Sequence, residues 1–400
     1  MGTNANKLNY LKETKELIKD ALINKGVEVG DTDTFRSYAD KINEISVGGG
    51  DGDDTETLKG IIEGTITELT IPNGVTKIGA NAFSLNNVIT SVTIPNSVKS
   101  IGGSAFGQCS NLTNIDLGNG VVEIGDNSLN RTAITSIVIP DSVKSIGSTV
   151  FYYCSSLKNV TLGKNIESLG DAAFGYSKIE SITIPASVTS FSEDIFSNCK
   201  SLTSVVFEGI ITEITERMFE YCPLYSFTAI PNTVTTIGNY AFQSCSFQSM
   251  TIPNSVTSIG NSAFSSCRRL KEINIPDSVT SIGTSAFYKN DSATTATIGS
   301  GITEIPNSLL YSGSALTSVT IKGDITSIGT SAFYGCSKVL KYDFTHFTSV
   351  PTLAGTNAFT SINSNCKIYV PDALYDEWIG ATNWSSYASY ITKASEMPTE

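Results

Sequence analysis

Histidine is nearly absent: the 400-residue chain has one, His346. A multi-histidine metal site cannot be built from it, and a Ser/His/Asp triad would have to use that residue. Charge is scarce, at 16% of residues against about 25% in an ordinary soluble chain. What charge there is runs acidic, with 26 Lys+Arg against 38 Asp+Glu and a net of −12. Such a chain lacks the basic footprint that neutralises phosphates, so nucleic acid is not an expected partner. No run of 18 or more apolar residues occurs, and no membrane insertion is expected. The opening MGTNANKLNYLKETKELIKD has no apolar signal core, because Lys and Glu interrupt it. Asn6 breaks the myristoylation pattern. The reading is a soluble chain without an export signal, needing neither cofactor nor metal. At 40% hydrophobic it is still too apolar for global disorder.

What the chain has in abundance is one repeated phrase. ITSVTIPNSVKSIGGSAFGQCSN begins at Ile89, and variants restart at Leu112, Ile134, Leu157, Ile179, Leu202, Leu224, Phe247, Leu270, Ala293 and Leu316. Twelve units fill residues 66–338 at 22 or 23 residues each, inside the period range of leucine-rich repeats. Ile89, Val92 and Ile94 follow L-x-x-L-x-L, and Ser91 and Thr93 alternate with them, which predicts a strand with one apolar face. Pro95 ends that strand, because it has no N–H for a ladder. Val98 and Ile101 predict a short second strand, and Ala105-Phe106 predict one helical or 3₁₀ turn with the ring inside. One coil cannot bury these side chains alone; stacked coils bury them against each other. The expected fold is a repeat solenoid, mostly β, with short 3₁₀ or helical turns and a parallel sheet of strands.

Two columns recur inside the coils. The Phe position reads Phe83, Phe106, Leu129, Phe151, Phe174, Phe196, Phe219, Phe242, Phe264, Phe287, Leu310 and Phe333. An aromatic column that tolerates only Leu is expected in the core. Cys109, Cys154, Cys199, Cys222, Cys245, Cys267 and Cys336 all lie three residues after that position, where other units have Asn86, Thr132, Ser177, Asn290 and Gly313. A site that accepts a thiol, a hydroxyl, an amide or nothing is not a disulfide framework, so buried reduced thiols are expected. Disulfide or metal pairing of neighbouring thiols is the alternative.

The phrase IPxSVxxIGxxAFxxCxxLTSVTIP is similar to the BspA-like class of leucine-rich repeats. That resemblance covers about 270 residues of the 400. It implies binding rather than catalysis, since members of the class are often bacterial or protozoan surface proteins and adhesins. Residues 1–47 do not repeat. Leu8, Leu11, Ile18 and Leu22, then Phe35, Tyr38, Ile42 and Ile45, predict a small helical hairpin for attachment or self-association. Residues 48–57, containing GGGDGDD, predict a flexible linker, and 58–338 the solenoid. Asp31, Asp33, Asp51, Asp53 and Asp54 miss the EF-hand register and are expected as solvated loop acids. The phrase LKETKELIKDALINKGVEVGDTDTFRSYADKI resembles a segment of phage tail and structural proteins. Residues 339–400 are expected as an irregular last repeat and a helical C-terminal cap, with Leu374, Trp378, Trp384 and Tyr387 covering the open end.

The outward strand positions are the candidate binding stripe: Ser91, Thr93, Asn114, Asp116, Asn159, Thr161, Ser181, Thr183, Ser249, Thr251, Glu272 and Asn274. They form a hydroxyl- and amide-rich ladder suited to hydrogen-bonding a host-surface glycan or protein. Equally, Ser and Thr there could simply keep a strand face wet. A second, aromatic surface is expected from Tyr152, Tyr153, Tyr176, Tyr221, Tyr288, Tyr311 and Tyr334 beside the Phe column. No cluster with a nucleophile, a base or paired carboxylates stands out, so the chain is not expected to be an enzyme. The leading expectation is a phage virion component, tail-associated, displaying its solenoid for host recognition. A bacterial cell-surface adhesin and a structural spacer are the alternatives.

Overall fold

The computed structural model describes residues 67–398. The hairpin expected over 1–47, the linker over 48–57 and the start of the solenoid lie outside the described residues. The chain divides into two units, Met1–Gly163 and Lys164–Glu400. Each is a stack of parallel coils, and strands dominate both.

In the first unit, strands Glu68–Thr70, Ser91–Thr93 and Asn114–Asp116 pair in parallel, as do Ser136–Val138 and Asn159–Thr161. The shorter second strands, Lys77–Ile78, Ser100–Ile101, Glu123–Ile124 and Ser145–Ile146, form a second parallel ladder. The second unit repeats the plan. Ser181–Ile184 pairs Ser204–Phe207, and Glu272–Ile275, Thr295–Ile298 and Ser318–Ile321 form a three-strand sheet. Its second strands include Glu213–Ile214, Thr236–Ile237, Ser258–Ile259 and Ser281–Ile282 in one ladder. A single parallel sheet of strands is therefore not what forms: the leading strands pair in groups of two or three. Ser249 and Thr251 lie in no strand; only an isolated bridge, Ala229 to Thr251, marks that coil.

The Ala-Phe segment differs from the expected helical or 3₁₀ turn. Ala105, Gly107 and Cys109 donate to carbonyls three residues back, at 3.0–3.2 Å. Ser104, Phe106 and Gln108 instead donate to Asp126, Ser128 and Asn130 of the next coil, at 2.7–2.8 Å. A helix would spend every amide within its own segment, whereas this segment sends alternate amides to its neighbour. The geometry needs left-handed residues two before and two after the Phe position, such as Ser104 (φ 55°) and Gln108 (φ 61°). That conformation costs an L-residue roughly 1–2 kcal/mol, and one inter-coil hydrogen bond returns about 1 kcal/mol. Small and polar side chains dominate these positions, in line with that cost.

The Phe column is the core. In the second unit Phe174, Phe196, Phe219, Phe242, Phe264 and Phe287 stack with centroids 5.1–5.7 Å apart and planes within 19° of parallel. Phe83 and Phe106 stack alike in the first, at 5.1 Å. Leu129 and Leu310 occupy the same buried column.

Residues 339–366 form a coil in register, lengthened by a few residues. Lys341–Asp343 pairs Lys367–Val370, which pairs Ile391–Lys393, and Thr352–Leu353 pairs Ser327–Ile328. The chain then folds into short turns: 3₁₀ at Asp372–Leu374, helix α1 (Tyr375–Gly380), and 3₁₀ at Trp384–Tyr387. Trp378 and Trp384 are fully buried, 4.6 Å apart in an edge arrangement, while Leu374 is half-buried. These turns also satisfy the last coil's backbone. The Phe359 amide donates to Tyr387 Oη at 3.2 Å, the Tyr387 hydroxyl donates to the Thr356 carbonyl, and Trp384 Nε1 donates to the Pro351 carbonyl at 2.8 Å.

Two expected outcomes follow from this packing. Phe219→Ala opens a cavity between two stacked rings and costs about 3–5 kcal/mol, read as a lowered urea midpoint. Tyr387→Phe keeps the ring but leaves the Phe359 amide and Thr356 carbonyl without that partner, costing about 1–3 kcal/mol. Hydrogen exchange at Phe359 should then accelerate while exchange at Phe264 stays unchanged; equal acceleration at both would remove the capping account.

Candidate functional site

The inward residues of each coil leave one question: what the polar side chains do. Most are committed to the neighbouring coil. In the IPxSV turn, Ser142, Thr233, Ser255 and Ser278 donate to the carbonyls of Val121, Ile211, Val234 and Val256 at 2.6–2.7 Å. Three residues before the Phe position, Asp126, Asn239, Asn261 and Asn307 accept the amide of the equivalent residue one coil on, at 2.7–2.9 Å. Thr113, Thr203 and Thr317 donate back to Thr90, Glu180 and Thr294 at 3.1 Å. The hydroxyl and amide richness of the sequence is thus largely a set of coil-to-coil staples.

The cysteine column belongs to the same class. Cys109, Cys154, Cys199, Cys222, Cys245, Cys267 and Cys336 are free and buried, and each thiol points at the carbonyl of the Phe position one coil earlier, at 3.0–3.4 Å. Asn290 Nδ2 makes the same contact with Phe264 at 3.0 Å. That explains why amide and thiol interchange there. Burial pushes the thiols of Cys154 and Cys199 up to about 11 and those of Cys109 and Cys336 up to about 12. Burial raises Cys222, Cys245 and Cys267 too. Protonated, enclosed thiols are poor nucleophiles.

The candidate stripe behaves differently. Thr93, Asn114, Asp116, Asn159, Thr161, Ser181, Thr183, Ser249, Thr251, Glu272 and Asn274 are exposed, and Ser91 is half-buried. Strand register sets Ser91 beside Asn114 and Thr93 beside Asp116 in the first unit, with Asn159 beside Ser136. In the second unit Ser181 lies beside Ser204, Glu272 beside Thr295 and Asn274 beside Thr297. Thr183 lies beside Val206, and Ser249 and Thr251 stand outside any ladder. The stripe is thus brought together as local blocks. Asn114 Nδ2 reaches Ser91 Oγ at 3.3 Å, and Asp116 accepts the Gly118 amide at 2.9 Å.

The aromatic surface forms in part. Tyr288, Tyr311 and Tyr334 stack with centroids 4.8 and 4.5 Å apart, so ring edges rather than faces meet solvent. Arg131 lies over Tyr153 at 4.8 Å. His346 contacts the Gly323 carbonyl at 3.2 Å and packs edge-on against Phe347. The nearest approach to a carboxylate pair is Asp194 and Glu220. Burial, opposed by Arg217, raises both. Arg217 meets Asp194 at 3.7 Å and Glu216 at 2.8 Å, so the acids are held as an ion-paired cluster. Among the described residues no group of His, Cys, Asp and Glu is placed to hold a metal ion. None of the described helices is long and apolar enough to cross a membrane. Sequence reading missed Tyr225, which is 52% exposed with the Arg269 guanidinium over its ring at 5.2 Å. The available signals were an Arg268-Arg269 pair and a leading segment, Leu224 to Ile230, one residue longer than in the other coils.

Parallel coils with a leading L-x-x-L-x-L strand, an inward aromatic column and a staple after it define a leucine-rich-repeat solenoid. The chain belongs to the BspA type leucine-rich repeat family, whose repeat region matches residues 63–133, 122–248 and 235–367 in 6 copies. Among solved structures, a leucine-rich repeat protein from Bacteroides ovatus ATCC 8483 shares 24% identity at a TM-score of 0.58, covering 82% of this chain and 91% of that one. The pneumococcal vaccine antigen PcpA shares 20% identity at a TM-score of 0.50, covering 82% and 87%. A leucine-rich cell surface protein from Faecalibacterium prausnitzii A2-165 is 26% identical at a TM-score of 0.45, over 64% and 88%. No curated protein matches the chain.

The thiol column predicts a pH dependence. Native pKa values lie above the unfolded value of about 8.5, so above that pH the unfolded state binds fewer protons than the native state. Stability must then fall as pH rises, by about 1.4 kcal/mol per pH unit for each such thiol until the native value is reached. Urea midpoints should drop steeply between about pH 8.5 and 11, and less steeply in a Cys199→Ser/Cys245→Ser variant. A slope identical in the variant would assign the dependence to other groups.

Proposed function

We propose that the protein is a non-enzymatic recognition protein of the adhesin type, displayed at a bacterial cell surface. One observation carries this reading. The Ser, Thr and Asn side chains elsewhere are consumed in coil-to-coil bonds, while those of the strand face are exposed on rigid parallel strands. A rigid array of hydroxyls and amides, each fixed by its strand register, is suited to polar recognition because little ordering entropy is lost on binding. Membership of the BspA type family supports the surface setting, since the class is rich in surface proteins. The phage-tail reading rests on a resemblance within residues 11–42, outside the described residues, and no geometry carries it. A bare spacer would need no exposed array of donors and acceptors.

Substituting Thr93→Arg with Asp116→Arg, or separately Thr183→Arg with Asn274→Arg, should leave the urea midpoint within about 0.5 kcal/mol of the parent, as exposed sites do. At least one pair should lower binding of the purified chain to host cells more than tenfold. A parent chain that binds no cell type at micromolar concentration would favour the spacer. Gold-labelled antibody found on virions rather than on the producing cell's envelope would restore the phage reading.

A further inference from the structure

The leading strand face is broken at one place in the second unit. In the regular coils, the residue after the leading apolar one donates its amide to the equivalent residue of the preceding coil: Thr113 to Thr90 and Lys271 to Gln248, both at 2.9 Å. In the coil that starts at Leu224 the register slips. Ser226, not Tyr225, donates to the Thr203 carbonyl, at 3.0 Å. The same segment carries two residues, Thr228 and Ala229, between inward Phe227 and Ile230, where other coils have one. Leu224 adopts φ 46°, although it is buried. Every other left-handed non-glycine residue in the repeats sits two before or two after the Phe position. Strain on a bulky residue at a site where a ladder is interrupted is a mark of functional geometry.

The slip extrudes Tyr225. Its ring is covered on one side by the Arg269 guanidinium, which reaches it from the turn two coils on. Gln248, between them in the coil order, and Lys271 are exposed in the same column. Arg268 faces away, toward Asp291 at 3.9 Å. Glu272 borders the cluster on the strand face. Arg268 and Arg269 are two of only five arginines in a chain of net charge −12.

We propose that Tyr225, Gln248, Arg269 and Lys271 form a subsite for a carboxylate-bearing sugar of an acidic glycan; this deepens the recognition reading above and rests on it. The phenol ring supplies an apolar body with a polar tip, suited to the C–H side of a pyranose. The guanidinium fork matches a carboxylate in two parallel hydrogen bonds, and the ammonium of Lys271 adds a point charge. The Gln248 amide both donates and accepts, as sugar hydroxyls require. Because Arg269 already orders the tyrosine ring, little side-chain freedom is lost on binding. The acidic remainder of the chain repels a polyanion, which confines it to this cluster.

The test is calorimetric titration of the full chain with polygalacturonate and, in parallel, with neutral galactan. Polygalacturonate should bind and galactan should not. Arg269→Gln and Tyr225→Ala should each weaken binding at least tenfold, Arg269→Lys should retain part of it, and raising the salt should weaken the parent. The substituted residues are exposed, so circular dichroism should show unchanged folding. Binding to neither polymer, equal binding to both, or unaltered binding by the Arg269→Gln and Tyr225→Ala variants would overturn the subsite. Cell binding that persists in those variants would overturn the subsite while leaving the recognition reading intact. Polygalacturonate binding without any cell binding would overturn that reading and keep the subsite.

Discussion

Everything in this protein depends on the contact between one coil and the next. A coil of 22 or 23 residues has about six apolar side chains and no second layer of its own to bury them. Its backbone is in the same position. Alternate amides of the Phe segment find their acceptors only one coil on, as Phe106 does at the Ser128 carbonyl. Apolar burial and backbone hydrogen bonding are therefore satisfied together or not at all. That coupling demands a fixed register, and the register in turn makes the sequence repeat.

The composition follows from the same constraint. Glycine recurs after the second strand because the next coil lies almost on top of it: a Cβ at Gly283 would lie 2.4 Å from the Asn261 backbone nitrogen. Cysteine recurs because its position needs a small donor that tolerates full enclosure, and a thiol meets both needs at little desolvation cost. Serine, threonine and asparagine replace lysine and glutamate because a short side chain reaches the carbonyl or amide one coil away, and a long charged one overshoots it. The ends of such a stack are costly. The last described coil loses its downstream partner, and Tyr387, Trp384 and Asn383 take over its backbone groups, Asn383 Nδ2 reaching the Leu353 carbonyl at 2.7 Å.

The sequence was most legible where it repeats. The period, the two strands per coil, the buried Phe column and the shared role of seven cysteines all followed from comparing units. The Ala-Phe segment was misjudged as helical because its apolar pair and glycine also fit a turn of helix. Only the alternation of amide partners, a property of two coils together, separates the possibilities. The single sheet failed for a related reason: insertions and deletions of one residue, invisible to a tolerant alignment, are enough to interrupt a strand ladder three or four residues long. The stripe was legible as a column, but its division into blocks was not.

A strict repeat has a functional drawback. Each position is a copy of its neighbours, so a face built from it offers the same group at every step and discriminates poorly among ligands. Distinct chemistry requires a local break in register, and a break costs hydrogen bonds and backbone strain. The Leu224 coil shows both: a slipped amide and a buried leucine with φ 46°. The flanking coils limit the damage. Phe227 still packs between Phe219 and Phe242, at 5.9 and 6.1 Å, and Ile230 returns to the regular position before its proline. The core thus stays intact beneath a surface that has changed. One irregular coil held between regular ones is how a repetitive scaffold presents a tyrosine and an arginine where every other coil presents a hydroxyl.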